Sequence, residues 1–181
     1  MRLFCLISVL LLPTALLAQA QFSLQPPMES ATAPARLLGV WGTDPANVYA
    51  VGENGTGVHF DGTDWTTWNT GAIAHLNAVW GTGPADIFAV GSLGTVLHFD
   101  GTTWSPMSTY TNESLKSVHG CGPSDVYAVG NYGTVLHYDG TDWAPINTHE
   151  ISDYTAVACF GPTVHLAAAD GAHLRLLHTA P

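Results

Sequence analysis

The sequence is organised by a unit of 39 residues, and this period constrains the fold more than any single motif does. Val40, Val79, Val118 and Val157 occupy the same position in successive units. Around the first three, the chain reads LLGVWGTDPANVYAVGENGTGVHFDGTDW, LNAVWGTGPADIFAVGSLGTVLHFDGTTW and LKSVHGCGPSDVYAVGNYGTVLHYDGTDW. A period of this length is typical of proteins built from stacked structural repeats, in which each unit buries its hydrophobic face against its neighbours.

The sequence of each of the first three units predicts four short β-strands. In the second unit LNAVWG, DIFAVG, TVLHFD and TTWSPM are rich in β-branched and aromatic residues, and GTGPAD, SLG and Asp-Gly between them are turn sequences. The Asp-Gly pair predicts a type I′ hairpin turn. No segment shows a helical period. Four strands joined by hairpins in one unit indicate a propeller blade.

The two ends of the repeat region depart from the pattern in complementary ways. The fourth unit, YTAVACFGPTVHLAAADGAHLRLLHTAP, keeps three strands and lacks the Asp-Gly-Thr-x-Trp ending. Residues 21–35 have the composition of a linker, yet SLQPPM precedes LLGVWG much as WSPM precedes LKSVHG. We therefore predict an all-β fold, a small propeller of about four four-stranded blades closed by an N-terminal strand. The repeat domain is 36–181, with blades at about 37–75, 76–114, 115–153 and 154–181.

Residues 1–20, MRLFCLISVLLLPTALLAQA, predict a secretory signal peptide. Arg2 precedes an apolar run that ends before the small residues Ala18 and Ala20, after which cleavage is expected. The alternative, a membrane anchor, is disfavoured because the run contains Pro13 and is shorter than the ~20 residues that span a bilayer. No later run is long enough to span a membrane. We expect a secreted, periplasmic or cell-surface protein.

The charge balance argues against two classes of partner. Lys and Arg total 4 against 14 Asp and Glu, which gives a formal net charge of −10. Nucleic acids and anionic membranes are bound by clustered basic residues, which this chain lacks.

Cys121 and Cys159 stand just after the first strand of adjacent units. Export places them in an oxidising compartment, and neighbouring first strands lie side by side in a propeller, so a disulfide is plausible. The alternative is a pair of small buried thiols.

The residues that recur in every unit are better explained by structure than by chemistry. Trp65, Trp104 and Trp143 are expected to pack between blades rather than stack on sugars. The third-strand histidines lie in separate blades, so we expect each to bond within its own blade, for instance to the Asp two residues on, and predict no metal site. One carboxylate per turn does not make a calcium site. No catalytic motif and no cofactor-binding motif occurs. The third-strand histidines are His59, His98 and His137, and the turn carboxylates belong to Asp61, Asp100 and Asp139.

The units, as in WGTGPADIFAVGSLGTVLHFDGTTW, resemble the short propeller repeats of bacterial secreted proteins, related in style to BNR (Asp-box) and kelch-like propellers. The resemblance covers Leu37 to about Leu177. It implies the fold but no particular activity, since such propellers include enzymes, lectins and scaffolds. The Asp-box pattern Ser-x-Asp-x-Gly-x-x-Trp is matched only in part by the segment 61–65. Sialidase-type chemistry would need arginines, of which the mature chain has only Arg36 and Arg175.

The favoured function is non-enzymatic binding of a glycan, a peptide or a protein partner outside the cytoplasm. The alternatives are a carbohydrate-active hydrolase or lyase, and a structural half-ring completed by self-association. Turns that differ between units are the better candidates for a binding site, because identical turns cannot single out one asymmetric ligand. The predicted ligand-binding residues at those turns are Tyr110, Asn112, Tyr132 and His149, with Glu53 and His75 as weaker members.

Overall fold

The computed structural model describes residues 35–177, which form fifteen β-strands. Blade 1 contains β1 (Leu37–Asp44), β2 (Asn47–Gly52), β3 (Thr56–Phe60) and β4 (Trp65–Asn69). Blade 2 contains β5 (Leu76–Gly83), β6 (Asp86–Gly91), β7 (Val96–Phe99) and β8 (Trp104–Met107). Blade 3 contains β9 (Leu115–Gly122), β10 (Asp125–Gly130), β11 (Val135–Tyr138) and β12 (Trp143–Pro145). Blade 4 contains β13 (Tyr154–Phe160), β14 (Thr163–Ala168) and β15 (His173–Leu177).

Each blade is an antiparallel sheet whose strands follow the order of the chain, which confirms the predicted all-β propeller-like fold. Three blades have four strands, and the fourth has three within the described residues. The predicted signal peptide and the predicted closing strand fall on residues 1–34, outside the described residues. No helix in the described range is long and apolar enough to cross a membrane.

The second strand of each inner blade is buried on both faces. In β6 the residues Ile87 to Val90 are all buried, because blade 1 covers one face and blade 3 the other. The sequence of such a strand is a continuous apolar run, here IFAV, rather than an alternation of apolar and polar residues. In β14 of the last blade, Val164, Leu166 and Ala168 are buried whereas Ala167 is exposed. The alternation in TVHLAA therefore reports that only one face of blade 4 is covered.

Blades stack by placing the first strand of one blade on the second strand of the blade before it. Val79 of β5 packs with Tyr49 and Val51 of β2, and Val157 of β13 packs with Tyr127 of β10 in the same way. The first strands adjoin in the order β1, β5, β9, β13. No comparable contact returns from β13 to β1 in the described part of the chain. The four blades thus form an open arc.

The repeated tryptophans of blades 2 and 3 pack between blades, as expected. Trp143 is 1% exposed, and its ring meets Phe88 of blade 2 edge-on at a centroid distance of 5.9 Å. Its Nε1–H donates to Sδ of Met107 at 3.4 Å. Trp104 packs against Trp68 of blade 1 at 5.9 Å. Structural packing explains both residues without a ligand.

The turn types differ from the prediction. A type I′ turn has φ above zero at both central residues. In the Asp-Gly turn after β3, only Gly62 has positive φ (96°), and Asp61 N–H donates to Asp64 O, so Gly62 is the first central residue of a type II′-like turn. Type I′ was the wrong prediction there. The type I′ pattern lies instead between β2 and β3, where Asn54 (φ 55°) and Gly55 (φ 69°) are both left-handed.

A disulfide joins Cys121 of β9 to Cys159 of β13, with the two Cα atoms 5.4 Å apart. It connects the first strands of blades 3 and 4. In the preceding blades a threonine occupies the position of Cys121, and Thr82 donates to the carboxylate of Asp86 at 2.5 Å. Cysteine in blade 3 exchanges this bond within a blade for a covalent link between blades.

Replacing Trp143 with alanine should lower the free energy of unfolding by about 3–5 kcal/mol, because a fully buried large aromatic side chain leaves a cavity between two blades. Chemical denaturation measures the change. Trp65, which is only half buried, serves as the matched control and should cost less when changed to alanine. Equal losses of unfolding free energy at the two positions would show that Trp143 is not buried between blades 2 and 3.

Replacing Cys121 and Cys159 together with serine should lower the free energy of unfolding by about 3–4 kcal/mol, since the bridge closes a loop with a sequence separation of 38. The bond itself is checked by the intact mass of the protein before and after reduction. An unchanged mass would show that the two thiols are free.

Candidate functional site

The turns of the blades lie at two ends with different characters. We call one the constant end: it holds the first-to-second and third-to-fourth turns, which repeat in sequence. There a Cβ atom on Gly62 would lie 2.7 Å from Cβ of Ala46, and one on Gly101 would lie 2.8 Å from Cβ of Ala85. The close approach of these turns within each blade explains why the constant end tolerates little variation.

The third-strand histidines bond within their own blades but to partners other than the predicted ones. Nε2 of His98 lies 2.7 Å from Oδ1 of Asp86, and Nε2 of His137 lies 2.8 Å from Oδ1 of Asp125. In blade 1 the partner is Asn47, at 2.6 Å from His59. The partner therefore begins the second strand, because that strand pairs with the third and brings its first residue beside the histidine. The prediction that each histidine bonds the aspartate two residues later in the chain is therefore wrong.

The carboxylates of the Asp-Gly turns bond their own backbone instead. Oδ1 of Asp100 accepts the N–H groups of Thr102 and Thr103, both at 2.8 Å. These bonds, that of Thr103 foremost, lower the pKa of Asp100, and the pKa values of Asp61 and Asp139 are lowered in the same way. The three aspartates act as turn residues, in agreement with the sequence interpretation.

We call the other end the variable end: it holds the second-to-third turns and the connections between blades. Its loops form one hydrogen-bonded band. The N–H of Ser92 donates to His75 O at 2.9 Å, and that of Gly94 donates to Glu113 O at 2.9 Å, so the turn of blade 2 is held by the connections on both sides. In blade 3 the N–H of Asn131 donates to Ser114 O and that of Gly133 to Ser152 O. The band gives side chains on these loops fixed positions.

The central position of each second-to-third turn is left-handed. It is occupied by Asn54 (φ 55°), Leu93 (φ 58°) and Tyr132 (φ 52°) in blades 1, 2 and 3. Asparagine is well suited to a type I′ turn, whereas a bulky L-residue in this conformation costs roughly 1–2 kcal/mol. Leu93 is 72% exposed and Tyr132 is 71% exposed, so burial does not offset the cost.

The connections between blades repeat this arrangement. Gly71 (φ 72°), Tyr110 (φ 56°) and His149 (φ 58°) occupy equivalent left-handed positions. Glycine adopts this backbone without strain, but tyrosine and histidine do not. Tyr110 is 82% exposed. Blade 1 thus carries the relaxed residue at both positions, and blades 2 and 3 carry strained, exposed side chains. Strain of this kind clusters at functional sites.

The predicted binding residues all lie at the variable end, in two groups. Tyr110, Asn112, Tyr132 and His149 are exposed. Glu53 and His75 are engaged in the scaffold: Glu53 pairs with Arg36 at 3.6 Å, and Nδ1 of His75 accepts the N–H of Asn54 at 3.1 Å. The binding role of all six residues stays a prediction. The four exposed residues are better placed to contact a ligand than Glu53 and His75 are.

Sequence reasoning missed three apolar residues at this end. Ile73 is 93% exposed and Ile151 is 84% exposed, and both occupy the connection position of Asn112. Leu93 is the third. The available signal was the comparison of units, since an apolar residue in a turn where another unit has Asn or Asp is unusual. Together the exposed set at the variable end comprises Ile73, Leu93, Tyr110, Asn112, Tyr132, His149 and Ile151.

A cavity of about 560 Å³ opens between blades 1 and 2. It is lined by Trp68, Phe99 and Trp104, and by the segments 69–71 and 101–103. The lining offers no carboxylate, imidazole or phenol that could act as an acid or base. Nε1 of Trp104 is buried without a hydrogen-bond partner.

One group of potential metal ligands occurs among the described residues. The side-chain ligand atoms of Cys121, Asp125 and Cys159 lie within 4.8 Å of one another. The two sulfurs are bonded to each other, and Asp125 already accepts from His137. With the disulfide formed, these residues do not offer a metal the thiolates that it would need.

No protein-family model matches the sequence, and no curated protein does either. Among solved structures, the chain is similar to YCF48 bound to D1 peptide, with a TM-score of 0.63 and 18% identity over 79% of this chain and 51% of that chain. It is similar to the computationally designed Ika4 protein, with a TM-score of 0.65 and 15% identity over 82% of this chain and 95% of that chain. It is also similar to the WD40 repeats of RRP9, with a TM-score of 0.63 and 9% identity over 78% of this chain and 49% of that chain.

These similarities show the fold alone. The fold is of the β-propeller type. The chain spans about half the length of the YCF48 and RRP9 chains it resembles. Its assignment to BNR or kelch-like repeats stays a prediction.

The turn aspartates should stabilise the protein above their unfolded pKa of about 3.9 and lose this contribution as the pH falls through their lower folded pKa values. Changing Asp61, Asp100 and Asp139 to asparagine keeps an acceptor but removes the titration. We expect the gap in melting temperature between wild type and the triple variant to shrink from about pH 6 to about pH 3. A constant gap would show that the depressed pKa values do not contribute.

Proposed function

We propose that the chain is an exported, non-enzymatic binding module whose variable end holds an extended segment of a partner protein. The observation that carries this proposal is the set of four exposed bulky residues on left-handed backbone, Leu93, Tyr110, Tyr132 and His149. Each makes the fold less stable than the residue that blade 1 carries at the same position. A function at the surface explains why they are there.

The chemistry of the surface favours a peptide over a glycan. Sugar sites rely on aromatic faces and dense hydrogen bonding, whereas this end alternates tyrosines with exposed aliphatic side chains. Ile73, Leu93 and Ile151 offer nothing to a sugar hydroxyl but can pack on apolar side chains. Exposed apolar groups held on a rigid frame are typical of protein interaction sites.

The charge at the variable end adds a second preference. Glu150 and Asp153 are exposed on the connection to blade 4, and Asp170 is exposed on the turn of blade 4. Partner segments with lysine or arginine among apolar residues would therefore be favoured over acidic ones. The similarity of the fold to YCF48 bound to D1 peptide supports a peptide as the class of ligand.

The chain itself supplies the variant that tests this proposal. Tyr110→Gly with Tyr132→Asn installs the residues of blade 1 at both positions. Peptides selected from a phage-displayed random library on residues 21–181 should bind the double variant at least roughly 30-fold more weakly. The melting temperature should be equal or higher, because left-handed strain is removed. Calorimetry and thermal denaturation measure the two effects.

The matched control is Thr141→Ala at the constant end, which should bind like wild type. Selected peptides that bind the double variant as well as wild type would overturn the choice of site. Ligands found only on a glycan array, with binding still lost in the double variant, would keep the site and overturn the peptide class.

A further inference from the structure

The first strand of blade 1 is exposed where its counterparts are buried. Val40 is 69% exposed, whereas Val79, Val118 and Val157 are 7%, 6% and 6% exposed. Leu37 is 45% exposed against 0% for Leu76. The sequence of β1 is nevertheless that of a packed inner strand.

The counterparts show what β1 is built to contact. Val118 of β9 packs with Phe88 and Val90 from the second strand of the preceding blade. Blade 1 has no preceding blade among the described residues, so Val40 lacks the partner that each equivalent valine has.

A glycine in the first strand marks the same interface. The Trp80 ring of blade 2 lies so close to Gly120 of blade 3 that a Cβ there would collide with it, and a Cβ on Gly81 of blade 2 would lie 3.0 Å from the Trp41 ring of blade 1. Gly81 and Gly120 are buried beneath these rings. The equivalent Gly42 of blade 1 is exposed. We call the surface formed by Leu37, Val40 and Gly42 the leading face.

The other end of the arc exposes the complementary side of a blade. His165 and Ala167 of β14 occupy the positions of Tyr127 and Val129, which in blade 3 are covered by blade 4. Ala167 is exposed, His165 is half buried, and Phe160 beside them is 66% exposed. We call Phe160, His165 and Ala167 the trailing face. His165 and Ala167 are smaller than Tyr127 and Val129, so we expect the contact made by the trailing face to be weaker than the contacts between blades inside the arc.

We propose that a second copy of the chain completes the ring, with the leading face of each copy packed on the trailing face of the other. Every internal contact is of this kind, leading face on trailing face, so the same geometry serves between copies. The arc matches 51% and 49% of two solved chains that have the propeller fold, so each of those chains is about twice as long as the part that the arc matches. Two arcs give eight blades, within the 4–8 that propellers use.

This assembly is independent of the proposed peptide site. The two contacts lie on the sides of blades 1 and 4, and the variable end stays open in both copies. The ring would carry two such ends related by the two-fold axis. Closure limits the assembly to two copies, whereas the same contact without closure would build a filament.

The test is the molar mass of residues 21–181 in solution, measured by light scattering across a dilution series. We expect twice the monomer mass at high concentration. Val40→Asp and Ala167→Glu should each give a monomer with an unchanged far-ultraviolet circular dichroism spectrum, because both side chains are exposed in the single copy. Ile73→Asp, an exposed apolar residue at the variable end, is the matched control and should leave the dimer intact.

Each other outcome overturns the proposal in a distinct way. A dimer abolished by Val40→Asp but unaffected by Ala167→Glu would mean that two leading faces meet each other. A wild-type monomer at every concentration would exclude the second copy. If residues 21–34 protect β1 from hydrogen exchange in that monomer, and their deletion removes the protection, the occupant is the N-terminal segment of the same chain. An assembly larger than a dimer would show that the ring does not close.

Discussion

The contact between the first strand of one blade and the second strand of the blade before it is the interaction on which the structure depends. Within a single sheet of this size, few side chains can be removed from water. Stacking buries Val79 against Tyr49 and Val51, and buries Trp143 beside Phe88. Each blade is therefore stable only as a member of a stack, and the ends of the stack are its exposed apolar surfaces.

The two ends of the blades use their polar groups in different ways. At the constant end, carboxylates and amides are used inside each blade: Asp86 and Asp125 hold histidines, and Asp100 holds its own turn. At the variable end, the backbone of the loops is fixed by hydrogen bonds between neighbouring blades, which leaves the side chains free to differ.

Equivalent positions in the units differ in the backbone strain that their residues carry. Blade 1 has Asn54 and Gly71 where the backbone is left-handed, and blades 2 and 3 have Leu93, Tyr110, Tyr132 and His149. The strained residues are all exposed at one end, so packing does not compensate for them. Blade 1 serves as the internal reference, because it carries the relaxed residue at both positions.

The sequence alone determined the blades, because a 39-residue period with four β-rich runs admits few alternatives. It also placed Tyr110 and Tyr132 at one end, since hairpin order fixes where turns lie. Only the tertiary structure decided which residue each histidine bonds, which turn is type I′, and that Leu93, Ile73 and Ile151 are exposed. Those features depend on φ angles and on contacts between strands and blades, which are distant in sequence. The exposure of Val40 was also decided only by the tertiary structure. The sequence of the first unit closely resembles those of the next two units, so it does not show that β1 has no neighbouring blade among the described residues.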